Sequence, residues 1–385
     1  MTRPLRVLQL IDSLARAGAE QSLAALAPHL VREGIDVQVA YLIERDGLRP
    51  DIEKAGIPVH SLAEGRPRRT DWRYRTVRLL DDLQPSVVHT TLFEADLAGR
   101  RAAARLGIPC VSSFVNTAYG RTESSRDGLS RFRVLGAQAA DALTARRVTR
   151  FHAVTHHVAK VMGRRLRIPP DKIDVIPRGR DGAVIGRRSQ ERRSTVRHRL
   201  GFTDEIPLML AVGRQEPQKG FDLLLRALPA VMRQIANVQV LVVGRAGRAS
   251  ESLAELVVAN GLTDAVRFLG MRDDVADLMA AADVLAFPSL WEGAAGTIQE
   301  AMALECPIVT SALPTILETV DPSTAEVVTP GSSEELGRGL LNVLLDPVTA
   351  AGRVVAARER FERDFTIEVG ARRMADLYFR TAAAA

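Results

Sequence analysis

Cysteine is scarce in this chain. Only Cys110 and Cys306 occur among 385 residues, each beside a proline and far from the other. That excludes a disulfide framework or a cysteine-rich zinc site, and it fits a reducing compartment. Long apolar runs are missing too: nothing approaches the roughly 20 residues that a spanning helix needs. The first apolar run, Val7 to Ile11, is too short for the core of a signal peptide and reads as a strand. Metal-binding patterns are equally thin. No Asp-x-Asp pair follows a strand, Asp273-Asp274 reads as a helix start, and His152 and His156-His157 lack carboxylate or cysteine partners. Neither a metal nor a cofactor is therefore expected. What remains is a composition of 46% apolar and 25% charged residues, which excludes bulk disorder and collagen-like structure. The expectation is a soluble cytoplasmic protein.

At this length two domains of ordinary size are expected. Their charges differ. Residues 1–180 carry 30 Lys and Arg against 19 Asp and Glu, and the remainder carries 22 against 27. A basic half and a mildly acidic half imply different partners. The densest basic stretch holds Arg66, Arg68, Arg69, Arg73, Arg75 and Arg78, with Trp72 and Tyr74 among them. A solvated helix face explains it, and so does peripheral contact with an anionic inner membrane face, where each basic residue contributes about 1 kcal/mol. Nucleic acid is not expected as a partner.

Along the chain, short apolar runs alternate with helical patterns. Leu5–Leu10, Val37–Ile43, Val87–His89, Cys110–Phe114, Phe151–Val154 and Lys172–Ile176 read as strands of one series. Leu208–Val212, Val238–Val243, Val266–Leu269, Val284–Pro288 and Ile308–Thr310 form a second. Strands alternating with helices of ten or more residues predict parallel βαβ units, hence α/β architecture with two doubly wound, Rossmann-like sheets. The boundary is expected at residues 180 and 181. Arg178–Arg199, rich in Arg and poor in apolar residues, reads as the linker. Two such sheets would leave a cleft at the carboxyl ends of their strands, where ligands bind in this architecture.

Three segments place chemistry at strand ends. Gly213-Arg214, followed by Lys219-Gly220, lies between a strand and a helix, so two cations and flexible backbone meet where a diphosphate could sit. The order of a Walker loop is missing. The second segment is Glu292-Gly-Ala-Ala-Gly-Thr-Ile-Gln-Glu300, again between strand and helix. Its small residues allow close approach of a ligand to free amides, and its carboxylates suit sugar hydroxyls. The third is Gly18 between Ala17 and Ala19, after the first strand. Surface charge capping a helix is the competing reading of the first segment, and an ordinary loop with two surface glutamates that of the second. His89 reads as a structural histidine at a strand end.

Together these residues resemble the large retaining glycosyltransferase family of GT-B fold, the family-four group. The resemblance rests on Val212-Gly213-Arg214, Lys219-Gly220, Ala282-Asp283, Pro288-Ser289, Glu292 and Glu300-Ala301-Met302. It extends from the Ala17–Glu20 loop to the last helices and is densest in the second half. It implies that Arg214 and Lys219 hold a donor diphosphate and Glu300 the nucleotide ribose. Glu292 and the amides of Gly293, Ala294, Ala295, Gly296 and Thr297 would hold the donor sugar. The loop Leu269–Arg272, with Met271 and Arg272, would lie against the base. Arg214, Lys219 and Glu292 carry the catalytic role in this reading, Gly18 and Gly213 line the donor, and His89 and Asn116 stand on the acceptor side. The final helix, about 366–385, would return to the first domain, leaving 181–365 as the donor domain.

The chain departs from the family in three places. Ala294-Ala295 replaces a bulkier pair, Val115 or Asn116 stands where a histidine is common, and the Pro-Asn-Gly-x-Asp motif reads Pro177-Arg178-Gly179-Arg180-Asp181. The implied activity is transfer of a sugar from a nucleotide-diphosphate sugar to a hydroxyl of a glycan, lipid-linked or small-molecule acceptor. Envelope polysaccharide or glycolipid synthesis is the expected setting. Two alternatives share the fold: a catalytically silent nucleotide-sugar-binding protein, and a sugar-nucleotide epimerase.

Overall fold

A computed structural model describes residues 4–65, 69–119 and 131–384, so Arg66 and Arg68 of the basic stretch lie outside the described residues. The chain divides into two compact units, one of Met1–Gly179 with Ile367–Ala385 and the other of Arg180–Thr366.

The first unit is built on seven parallel strands. These are β1 (Leu5–Ile11), β2 (Ile35–Tyr41), β3 (Val59–Ser61), β4 (Val87–Thr91), β5 (Cys110–Phe114), β6 (Arg150–Ala153) and β7 (Ile173–Val175). Their order is β3-β2-β1-β4-β5-β6-β7, so the winding reverses between β1 and β4. β4 and β5 are buried along their whole length, as expected of strands covered on both faces. The helix Gly18–Arg32 turns Leu23, Ala27 and Leu30 to the core and gives way at Gly34, whose φ of +84° suits glycine. Helix Ile367–Ala383 packs against it and contributes Met374, Leu377 and Tyr378 to the same core.

On helix Phe93–Leu106 sits a fully buried arginine. Arg100 is tied to Asp96 at 3.0 Å, to Asp141 at 2.5 Å and to the Ser112 hydroxyl at 2.7 Å. Burial pushes the Asp96 carboxyl up to about 6, although Arg100 opposes the shift. A buried charge of this kind persists because partners surround it, and removing one would cost about 3–5 kcal/mol.

The second unit carries six parallel strands: β8 (Leu208–Val212), β9 (Gln239–Val243), β10 (Val266–Gly270), β11 (Val284–Phe287), β12 (Ile308–Ser311) and β13 (Glu326–Val328). They lie in the order β10-β9-β8-β11-β12-β13, with the reversal between β8 and β11. Helix Phe221–Met232 buries Leu224, Leu225, Leu228 and Val231 against one face. The fold is thus two Rossmann-like parallel-sheet domains.

The segment Arg178–Arg199 is not an irregular linker. From Arg180 onward it belongs to the second unit and forms the helices Gly182–Ile185 and Gln190–Leu200. Hydrophobic periodicity could not reveal the longer helix, because beside Val196 and Leu200 its inward face is held by arginine bonds. Ser189 caps it by accepting from the Arg192 amide at 3.1 Å. Buried Arg197 donates to the Ala281 carbonyl at 2.9 Å and to Asp283 at 2.6 Å, while Arg193 reaches Asp283 at 2.8 Å.

Candidate functional site

In the second unit the switch point between β8 and β11 collects most of the predicted residues, as sheet topology leads one to expect. After β8 the chain passes Gly213 and Arg214 and makes a short turn, Pro217–Lys219, before helix Phe221–Met232. Gly220 has φ +63°, and a Cβ there would overlap the Pro288 carbonyl oxygen, so only glycine lets this turn lie against the end of β11. The Lys219 stem crosses Gly213, where a Cβ would stand 3.1 Å from its Cδ and Cε. Leu290 N–H donates to the Gln218 carbonyl at 2.8 Å and Gln218 Nε2 to the Trp291 carbonyl at 2.7 Å, joining the two loops.

There Lys219 Nζ meets Glu292 Oε1 at 2.5 Å, and the Ser289 hydroxyl donates to the same oxygen at 2.8 Å. The ammonium also lies 5.3 Å from the centre of the Phe287 ring. With side-chain exposures of 17% and 8%, the pair is largely withdrawn from water, where Coulomb attraction is stronger. The Thr315 hydroxyl donates to the Glu292 carbonyl at 3.0 Å and steadies the loop.

Glycines and alanines then lead into helix Gly296–Ala303. Its preceding residue, Ala295, offers no side-chain cap, so the first amides are open to an external acceptor. Glu300 lies within this helix and is held by Arg180, whose Nε donates to Oε1 at 2.8 Å. The same guanidinium lies over Gly296, where any Cβ would collide with it. Arg180 was not among the residues expected at the site. Its one signal was the arginine occupying the variable position of Pro177–Asp181.

Arg214 is half exposed and 3.9 Å from Glu216, a carboxylate that Arg248 holds at 2.8 Å and keeps below its ordinary range. Met271, just beyond β10, is exposed. Arg272 is committed to Asp274 through two bonds of 2.8 and 2.7 Å. The structure therefore groups Gly213, Lys219 and Glu292, and separately ties Glu300 to Arg180.

The first unit holds Gly18, His89 and Asn116. Gly18 opens helix Gly18–Arg32, and its carbonyl accepts from Ser22 Oγ at 2.7 Å and Arg178 Nη1 at 3.2 Å. Asn116 is exposed, past the end of β5. His89 is buried in β4, with Nδ1 2.6 Å from the Tyr378 hydroxyl and Nε2 2.7 Å from the Ser113 hydroxyl. Burial holds its imidazole down to about 3, with His152 adding to the effect. Neutral and doubly bonded, His89 has the structural character the sequence indicated, yet it also lines a cavity with Gln9, Thr91, Ser113, His152 and Arg178. Near the end of β1, burial pushes the Asp12 carboxyl up to about 7 against the Ala95 amide that donates to it at 2.7 Å.

Comparison with known proteins points the same way for both units. Residues 16–183 match the family described as "Glycosyltransferase Family 4", and residues 206–346 match "Glycosyl transferases group 1". The chain is similar to a GDP-mannose-dependent monoacylated alpha-(1-6)-phosphatidylinositol monomannoside mannosyltransferase of Corynebacterium glutamicum. Identity there is 30% over 211 residues, covering 52% of this chain and 55% of the relative. A D-inositol 3-phosphate glycosyltransferase of Acidothermus cellulolyticus is 27% identical over 397 residues, covering 95% and 86%. The chain spans about half the length of the first curated relatives it matches. Among solved structures, Anabaena HepE in complex with UDP superposes with a TM-score of 0.84 at 21% identity, over 97% of this chain and 100% of that one.

Proposed function

The chain belongs to the group 1, family-four glycosyltransferases of GT-B fold, and from that membership we propose that it moves a sugar from a nucleotide-diphosphate sugar to an acceptor hydroxyl with retention of anomeric configuration. The observation that carries the reading is the Lys219–Glu292 pair at the β8/β11 switch point, beside a helix whose first amides are uncapped. Lys219 and Arg214 neutralise the negative charge that grows on the departing diphosphate, and the amides from Gly296 onward add partial positive charge. Glu292 fixes the ammonium and accepts from hydroxyls of the donor sugar. Glu300, oriented by Arg180, accepts from the ribose.

As the bond from the anomeric carbon to the diphosphate breaks, the acceptor oxygen forms its bond on the same face and passes its proton to the leaving phosphate oxygen. This route requires no enzyme nucleophile, unlike the two-carboxylate route of retaining glycosidases. No metal or cofactor is needed in this scheme, because the two cations and the helix start supply the positive charge.

The acceptor is a glycan, a lipid-linked saccharide or a small molecule, received by the first unit. Tyr74, Phe132 and Leu135 are exposed on two helices of its basic half, a composition suited to peripheral contact with an anionic membrane. No single helix among the described residues is long and apolar enough to cross a membrane.

The test has two stages. Melting temperatures with UDP, GDP and ADP identify the base, since a ligand at about 100 times its dissociation constant stabilises by roughly 2.7 kcal/mol. Release of that nucleotide from its sugar conjugates is then measured with and without acceptors. Binding without any release, even by slow hydrolysis, would favour a silent binding protein. Conversion of the donor without acceptor would favour an epimerase.

A further inference from the structure

Two consecutive arginines of helix Phe93–Leu106 are treated in opposite ways. Arg100 is satisfied by Asp96, Asp141 and Ser112. Arg101 is half-buried, and its Nη1 is withdrawn from water, yet among the described residues no group accepts from it. A guanidinium nitrogen in that position has lost its hydration without compensation, and a native structure keeps few such groups without a reason.

The surroundings of Arg101 are cationic. Its helix packs against helix Arg69–Leu83 and against helix Arg131–Ala145. The first carries Arg73, and the turn after the second carries Arg147, whose amide donates to the Thr144 carbonyl at 3.1 Å. Both of these side chains are exposed. Burial holds Arg101 below the ordinary guanidinium range, and the charges of Arg73 and then Arg147 push in the same direction. Among the described residues none of the three arginines forms an ion pair, and Asp96 and Asp141, acids of the same helices, are spent on Arg100.

Arg73 also differs from the rest of the basic stretch seen in the sequence. Arg75 donates to the Leu62 and Glu64 carbonyls at 3.1 and 2.7 Å, and Arg78 lies over the Tyr74 ring, 6.0 Å from its centre. Beside Arg73, the Trp72 indole N–H is a second buried donor with no partner. None of Arg73, Arg101 and Arg147 lines the cavity of this unit, and none belongs to the second unit.

Three guanidinium groups that repel one another, one of them with a donor already stripped of water, make a seat for an anion. A single negative charge would leave most of the repulsion in place, so the fitting anion carries two or more. Phosphate oxygens match the guanidinium fork two at a time, and guanidinium is weakly hydrated, so little is lost when such a pair forms.

We infer that Arg73, Arg101 and Arg147 form a binding site for a doubly charged phosphate group, a phosphomonoester or a diphosphate, in the helical layer of the first unit. The site stands apart from the proposed sugar transfer and does not depend on it. A soluble phosphate ester and the headgroup of a phosphomonoester lipid share this chemistry.

The experiment is calorimetric titration of the full chain with glycerol 3-phosphate and with pyrophosphate, with hydrogen–deuterium exchange to locate the binding. At least one of the two should slow exchange in helices Arg69–Leu83 and Phe93–Leu106. Arg101→Gln should remove that protection and weaken the ligand by about ten-fold or more, Arg73→Gln and Arg147→Gln should each weaken it several-fold, and Arg101→Lys should recover part of the loss. Melting curves add a signature that a purely structural role would not give. Without anion, Arg101→Gln should melt above the parent chain, because an unpaired charge is gone, and saturating ligand should reverse the order. Flotation separates the sources: stronger capture by phosphatidic acid than by phosphatidylglycerol vesicles of equal charge, lost in Arg101→Gln, assigns a lipid headgroup, and binding of the free compound alone assigns a soluble one. Without Arg101-dependent binding in either arm the inference fails. Pyrophosphate that protects only the second unit, or capture that is equal for both lipids and unchanged in Arg101→Gln, would then mean a plain basic surface. Nucleotide binding is measured on the same samples, so that loss of the transferase reading and loss of this site are seen separately.

Discussion

Arg180 Nε donates to Glu300 Oε1 at 2.8 Å, joining the first residue of the second unit to a carboxylate 120 positions further along. The backbone of Arg180 is held as well: its amide donates to the Phe365 carbonyl at 2.9 Å, next to the point where the chain leaves that unit. One residue thus connects the two chain ends of the unit with helix Gly296–Ala303.

If Arg180 orients Glu300 for a nucleotide ribose, the two side chains should act as one. A charge-assisted bond of this kind contributes about 1.5–3 kcal/mol, reduced here because the pair is partly open to solvent. Arg180→Ala and Glu300→Gln should each raise the KM for donor about ten-fold, and the double variant should be scarcely worse than either. A double-mutant cycle measures this. Fully additive losses would mean that the two residues act separately.

Lys219 is placed to bear charge that develops during the reaction. Lys219→Ala should lower kcat by about 10²–10³, the usual cost of one preorganised donor, and should also lower the melting temperature, because Glu292 is left buried without its cation. Glu292→Gln should fall in the same direction, because the ammonium loses the carboxylate that fixes it at 2.5 Å. Turnover unchanged in a folded Lys219→Ala would remove the diphosphate role.

Two glycines of the second unit should respond oppositely to alanine. At Gly220 the left-handed backbone alone costs about 1–3 kcal/mol, and the new Cβ would strike the Pro288 carbonyl. At Gly352, within helix Pro347–Asp364, nothing lies within 4 Å, so alanine should stabilise by about 0.5–1 kcal/mol. Urea denaturation separates these outcomes, and equal effects would contradict both.

Asp12 should make the protein less stable as pH rises. Its carboxyl stands at about 7 when folded against an ordinary 3.8, so between those values the unfolded chain releases a proton that the folded chain keeps. Stability then falls with rising pH across that window, by a few kcal/mol at about 1.4 kcal/mol per unit. Asp12→Asn keeps an oxygen for the Ala95 amide and should remove the slope, leaving the variant more stable at pH 8 and little changed at pH 4. Parallel curves for both proteins would refute the assignment.

His89 and His152 should act in the reverse sense. Both stand below the ordinary 6.5, at about 3 and about 4, so below pH 6.5 the unfolded chain takes up protons that the folded chain refuses. Their contribution is complete above 6.5 and is lost as pH falls toward 4. Denaturation at stepped pH should show this acid slope, and His89→Gln with His152→Gln should flatten it on a lower baseline. A slope that survives in the double variant would belong to other groups.

Much of the architecture could be read from the chain itself. Apolar runs bounded by helical patterns announce parallel sheets, because a strand covered on both faces must be apolar along its length. The short β3 and β13 passed unnoticed, each only three residues long. Helix Gln190–Leu200 escaped for another reason: beside Val196 its one other buried residue is Arg197, with Arg193 bonded next to it, and hydrophobic patterning counts arginine as surface. Among the candidate site residues, Gly213, Lys219 and Glu292 were legible because each follows a strand, whereas Arg180 carried only the hint of an unusual residue inside a motif.

The sequence alone determined the two α/β units, the strand ends that carry Lys219 and Glu292, and kinship with a family, since these depend on local periodicity and on residue types at short spacing. Which groups share their protons and charges was decided by tertiary structure. Lys219 meets Glu292 across 73 positions, Arg180 meets Glu300 across 120, and Tyr378 meets His89 across 289. Side-chain bonds of 2.5–2.8 Å between such distant positions exist only where packed sheets bring them together, and periodicity along a chain holds no measure of that distance.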